Sequence, residues 1–292
     1  MRSRNGRLRQ RSLVILITLL VSAQTGCSLI MGRVTSGVAD SLTVAVLAQD
    51  DPELVRDGAP AYLIALDGMI EGDPENLDLL MSGASLYGSY AGAFVDDPKR
   101  AAKLSARARR YGDRAICVRK KDFCGLSERT FDDFVVALED VNRKDLPALY
   151  SYGSAWAGWI QANSADWVAI ADLPKVQKVM EKVVELDPEI EDGQAWMYLG
   201  VLYTLRPASL GGKPEDGREA FERALEVSKR RNLFVHVMFA KQYARLVFDQ
   251  ELHDALLTEA LDADPVEPGL TLINTIAQQQ AAELLEDGQD YF

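Results

Sequence analysis

QAWMYLGVLYTLRPASLGGKPEDGREAFERALEVSKRRN, residues 194–232, is the stretch whose reading decides the fold. Trp196, Leu199 and Tyr203 recur at steps of three and four, so they share one face of a helix. Gly200 follows Leu199, and its missing side chain lets a neighbouring helix come close. Phe221, Ala224, Leu225 and Ser228 repeat that spacing and predict a partner helix over Arg218–Arg230. Pro214, Glu215 and Asp216 suit its start, because proline is tolerated in a first turn and acids favour the positive end of the helix dipole. Between the two runs, Pro207, Gly211, Gly212 and Pro214 forbid a continuous helix.

The spacing of Trp196, Leu199, Gly200 and Tyr203 resembles the first helix of a tetratricopeptide hairpin. The connection is longer than in a regular repeat, and Gly217 stands where many repeats carry alanine, so this unit is degenerate. Other segments extend the pattern. Pro60–Glu71 places Leu63, Leu66, Met69 and Ile70 on one stripe, and Pro174–Leu186 does the same with Val176, Val179, Met180, Val183 and Val184. Further helices are expected over Leu42–Gln49, Leu77–Phe94, Lys99–Val118, Arg129–Val141, Leu233–Phe248, Asp249–Ala263 and Leu270–Leu285. Several of them stop at Asp-Pro, at Asp73, Asp187 and Asp264. No run alternates with period two, so the expected class is all-α: a bundle or solenoid of helical hairpins.

The N-terminus reads differently. Arg2, Arg4, Arg7, Arg9 and Arg11 precede the short apolar run Leu13–Val21, and small residues lead to Gly26-Cys27. This is the pattern of a targeting segment, Met1–Gly26, too short for a comfortable membrane span. It resembles a bacterial lipoprotein signal, in which cleavage precedes a cysteine that is acylated; that makes Cys27 the lipidation residue and 27–41 a tether. Gln24 departs from the pattern, and a plain signal peptide with an incidental Cys27 is the other reading. By the same resemblance, Ser28 beside the cysteine points to the outer membrane of a Gram-negative envelope. The domain is then 42–286, with 287–292 as a frayed tail.

The 292-residue chain has a formal charge of −12, and losing the five leader arginines takes this to −17. So acidic a protein is a poor ligand for nucleic acid or for an anionic membrane surface. Cys117 and Cys124 stand either side of a plausible turn, RKKD; a disulfide, two separate thiols and a metal pair are the three readings. Only His236 and His253 are present, and no metal, P-loop, dinucleotide or nucleophile-elbow motif occurs, so neither a cofactor nor catalysis is expected.

Two stretches carry the binding hypotheses. LPALYSYGSAWAGWIQANSADWVAI, 146–170, holds three of the four tryptophans. Tyr152, Trp156 and Trp159 are read as core packing, as the wall of a ligand cleft or pore, or as a partner surface. Gly211, Gly212 and Lys213 either join two helices or offer backbone N–H groups and an ammonium to a partner or anion. The Gly- and Ala-rich helix Leu77–Phe94 packs tightly or borders a cavity. The run Arg107, Arg109, Arg110 and Arg114 pairs with acids on a solvated face or binds an anion.

Beyond these patterns, the lipoprotein start, WAGWI (156–160), ADLPKV (171–176), ELDP (185–188), RPASLGGKPE (206–215), AKQYARLVFDQELHDALLTEAL (240–261) and LINTIAQQQA (272–281) resemble the T-component (TatT) family of lipoproteins associated with TRAP transporters. The resemblance implies a periplasm-facing, tetratricopeptide-like accessory protein with no catalytic set. It implies a homo-oligomer, a trimer in the family's pattern, that works with an extracytoplasmic solute-binding protein. A small organic or hydrophobic ligand would pass through a helical pore or cleft. The alternative is a repeat scaffold for envelope assembly that binds only proteins.

Overall fold

A computed structural model describes residues 41–210 and 212–292. Among them every regular element is helical. A short helix over 41–47 precedes α1 (Pro52–Gly72), α2 (Leu77–Phe94), α3 (Pro98–Arg119), α4 (Phe131–Glu139), α5 (Leu146–Ala162), α6 (Trp167–Ala171) and α7 (Leu173–Leu186). The second half comprises α8 (Gln194–Thr204), α9 (Pro214–Val227), α10 (Leu233–Phe239, continued through Ala240–Ala244 and Arg245–Val247), α11 (Gln250–Asp262) and α12 (Thr271–Tyr291).

The hairpin expected from residues 194–232 is α8 and α9. Gly200 lies under the Phe221 ring: a Cβ there would sit 2.8 Å from ring carbons. Leu199, Phe221, Ala224, Leu225 and Ser228 are all buried. Trp196 is only partly buried, and its indole N–H donates to the Pro188 carbonyl at 3.0 Å, tying α8 to the end of α7. The hairpins follow one another: α2 packs on α3 and α5, α5 on α7, α7 on α8, α8 on α10, and α10 on α11 and α12. The last helix returns to the first, because Leu272 and Ile276 of α12 share a small core with Val55 of α1 and Val46.

α1 begins earlier than the periodicity suggests. Asp51 caps it by accepting from the Leu54 N–H at 3.1 Å, so Pro52, not Pro60, occupies the first turn. Pro60 lies inside the helix, where it has no N–H for the Arg56 carbonyl one turn back. That carbonyl accepts from the Tyr90 hydroxyl of α2 at 3.2 Å instead. A cross-helix hydroxyl thus replaces the missing backbone donor, and the proline does not end the helix.

The other end also differs from expectation. Residues 287–292 are not a frayed tail: α12 runs to Tyr291, Arg245 holds Asp287 at 2.7 Å, and the Phe292 ring stacks edge-on against His253 and Phe248. Val247, three residues after the buried Ala244 on α10, is 38% exposed. It lies at the end of the helix, after the π-helical turn Ala240–Ala244 and before Phe248, whose backbone is left-handed. Cys117 and Cys124 are joined by a disulfide with an S–S distance of 2.03 Å. The loop it closes contains Arg119, whose guanidinium meets the buried Asp145 at 2.7 Å, and the buried Phe123. Cys27 and the leader lie outside the described residues.

Tyr90→Phe should lower unfolding free energy in urea by about 1 kcal/mol, the typical net worth of one buried hydrogen bond. In a Pro60→Ala background, where residue 60 regains an N–H for Arg56, the same change should cost clearly less. Equal costs in both backgrounds would show that the hydroxyl does not replace the proline's donor.

Candidate functional site

Two features that are separate in sequence meet in space: the arginine run of α3 and the aromatic stretch of α5. α5 is almost wholly enclosed, with Leu149, Tyr152, Gly153, Ala155, Trp156 and Ile160 buried. Gly153 makes the enclosure possible, since a Cβ there would lie 2.6 Å from a Val179 methyl of α7. Tyr152 is 1% exposed and Trp156 is fully buried, with its ring edge-on to Phe134. In the single chain these two side chains are core, and they do not line open space. The cleft-wall expectation therefore fails for them at this level: the spacing that puts aromatics on one stripe turned the stripe inward, against α3, α4 and α7. Trp159, one turn on, is only partly buried.

Arg109 of α3 covers the aromatics. Its guanidinium carbon lies 4.1 Å from the Trp159 ring centroid and 4.9 Å from that of Trp156. Its terminal nitrogen donates to Asp172, between α6 and α7, at 3.3 Å, and the Trp156 indole N–H donates to the same carboxylate oxygen at 3.2 Å. The Arg109 side chain keeps 19% exposure and Asp172 23%, so the cluster reaches the surface along one edge. Below it, Asp113 faces Arg109, Glu128, Asp172 and the Tyr152 hydroxyl. Burial, chiefly, raises the Asp113 carboxyl from 3.8 to about 6; Glu128 and Asp172 push the same way, and Arg109 opposes them. The buried Ser151 hydroxyl has no partner, and the buried Tyr152 hydroxyl faces Ser127.

The rest of the arginine run is dispersed. Arg107 joins the Asp67 carboxylate, which also accepts from the Tyr87 hydroxyl at 2.8 Å and the Tyr111 hydroxyl at 2.5 Å; this hub fastens α1, α2 and α3. Arg114 donates to the Pro74 carbonyl at 2.8 Å, and Arg110 is exposed. Pairing with acids holds for Arg107 and Arg109, on half-buried contacts and not on a solvated face.

The second hypothesis concerned Gly211, Gly212 and Lys213. Gly211 lies outside the described residues. The Gly212 N–H donates to the Pro207 carbonyl at 3.1 Å and the Lys213 N–H to the Tyr203 carbonyl at 2.9 Å, so neither amide is left for an anion. The Lys213 ammonium is 60% exposed and lies 3.3 Å from Asp216. It remains open to a partner as a charge.

The histidines serve packing. His253 is fully buried, with Asp254 at 2.9 Å from one ring nitrogen and the Arg245 N–H on the other at 3.2 Å. His236 is likewise buried, and desolvation holds its pKa below the ordinary value. Among the described residues no group of three or more His, Cys, Asp or Glu side chains is arranged to hold a metal, and no helix is long and apolar enough to cross a membrane. Sequence reasoning missed Asp113 and Asp172. The available signal for Asp113 was its i, i+4 distance from Arg109; nothing in the local pattern marked Asp172.

Stacked helical hairpins, with side-chain networks fastening helices together, define an all-α helical-hairpin protein. The sequence pattern of the family described as TRAP transporter T-component matches residues 48–292, and the chain belongs to that family, whose members are transport accessories. It is similar to an uncharacterized protein of Treponema pallidum (strain Nichols), 24% identical over 283 residues that span 89% of this chain and 87% of the relative.

Because its carboxyl is raised from 3.8 to about 6, Asp113 favours the folded state fully below pH 3.8, and that contribution is lost as pH rises through about 6. Asp113→Asn, neutral at every pH, should therefore melt higher than the parent at neutral pH, by up to about 3 kcal/mol at about 1.4 kcal/mol for each pH unit. The two proteins should converge in acid. Thermal melts across that range check it, and an Asn variant that is less stable at neutral pH would contradict the assignment.

Proposed function

We propose that this protein is the periplasm-facing, lipid-anchored accessory component of a TRAP-type transport system, acylated at Cys27 and held at the outer membrane. It docks an extracytoplasmic solute-binding protein and gives a small organic or hydrophobic ligand a path through its helical body. The family match over 48–292 carries this reading. The packing of α12 against α1 agrees with it, because it holds the last helix to the first as one body on which a partner can dock. Oligomerisation, as a trimer, belongs to the same proposal. So does docking through a surface that includes Lys213.

The burial of Tyr152 and Trp156 changes the path. Its wall is built from side chains other than these two, with Trp159 as the one member of the aromatic set that reaches the edge. The acidic charge of the chain, −12, favours a partner or ligand route that does not depend on binding polyanions.

Affinity capture with the full-length protein from solubilised envelopes should recover a solute-binding protein of the tripartite type. Recovery of outer-membrane assembly factors in its place would favour the scaffold alternative. Intact-mass analysis of the membrane-extracted protein should find diacylglyceryl and acyl additions at Cys27, and an unmodified mature N-terminus would remove the anchor from the account.

A further inference from the structure

Arg109 and Asp113 stand one turn apart on α3, at the i, i+4 spacing where an arginine and a carboxylate ordinarily pair. They do not pair. Among the described residues Asp113 makes no hydrogen bond or ion pair, while Arg109 reaches across to Asp172 and lies on two indole faces. Arg109 gives Asp172 a single N–H at 3.3 Å, a contact that one guanidinium can exchange for another carboxylate. We propose that Arg109 is a two-position latch: it stays on Asp172 and the indoles while the Asp113 carboxyl holds its proton, and swings to Asp113, off the Trp159 face, when that proton leaves.

The groups around Asp113 decide the balance. Arg109 faces it from its own helix, the Tyr152 hydroxyl from α5, Glu128 from the turn Leu126–Glu128, and Asp172 from the α6–α7 junction. The two other carboxylates and burial hold the proton on Asp113 to about pH 6, within the range an envelope protein meets. Once ionised, Asp113 is a poorly hydrated charge, and the cationic donor that faces it is the Arg109 guanidinium. An ionised carboxylate without a donor is strongly disfavoured in such surroundings, whereas one joined to an arginine is not. Each position satisfies one carboxylate at the other's expense, which makes the choice two-state and sensitive to one proton. The latch ties α3 to the α6–α7 junction in acid and releases that tie near neutrality. Trp159, partly exposed already, is the surface that changes.

The test is tryptophan emission of the full chain between about pH 4 and 8, with the Trp159→Phe protein subtracted to isolate Trp159. The expected result is one transition with a midpoint near pH 6. Asp113→Asn should abolish it and keep the acid-form emission throughout. Asp172→Asn should move the midpoint to lower pH, since it removes both the competitor for Arg109 and a neighbouring negative charge. A flat wild-type profile, or a transition that survives in Asp113→Asn, overturns the proposal. Carboxyl-carbon NMR of the unmodified protein provides the check that needs no variant at the site: Asp113 must titrate together with the Arg109 Nε signal. Separate midpoints for the two also overturn it.

Discussion

Helix α5 has almost no side that water can wet, and the rest of the structure follows from enclosing it. A helix that is apolar around most of its circumference is stable only when other helices cover it. α2, α3 and α7 all pack on α5, and buried aromatic, aliphatic and small residues alternate along its length. Close approach is bought with Gly153, which lets the Val179 side chain of α7 press against the α5 backbone. The Trp156 indole N–H of α5 is met from outside by Asp172, and Asp172 in turn by Arg109.

Charge enters this fold at helix junctions. Asp67 joins three helices through one arginine and two tyrosine hydroxyls, Arg119 reaches the buried Asp145, and Arg245 binds α12 through Asp287 while donating to His253. Each is a half-buried contact between elements distant in sequence, where partial desolvation strengthens attraction without the full penalty of a deeply buried ion. The acidic surplus remains on the surface.

An accessory protein of a transport system has to bind, position and release, and helical hairpins suit this because each packs chiefly on its neighbours and the array can yield at single contacts. The Arg109 cluster is such a contact. It lies between a rigid core helix and the short, partly exposed α6, whose Trp167 is 85% exposed. A tie made by one guanidinium there controls less mass than a core contact does, and it can change without unfolding α5.

The sequence by itself determined the helices and most of their inward faces, because those depend on local period: Val176, Val179, Met180 and Val183 are buried as their spacing requires, and so are Phe221, Ala224 and Leu225. The Gly200 contact was legible for the same reason. Which side of the aromatic stripe at Tyr152 and Trp156 would be covered was not, since periodicity says that residues share a face and not what the face meets. Only tertiary structure decided that Pro60 is tolerated, because the donor that replaces its N–H comes from Tyr90, 34 residues from the Arg56 carbonyl it serves. It alone docked the last six residues and chose Asp172 over the nearer Asp113 as the partner of Arg109. Such choices rest on distances between elements, and a one-dimensional pattern does not contain them.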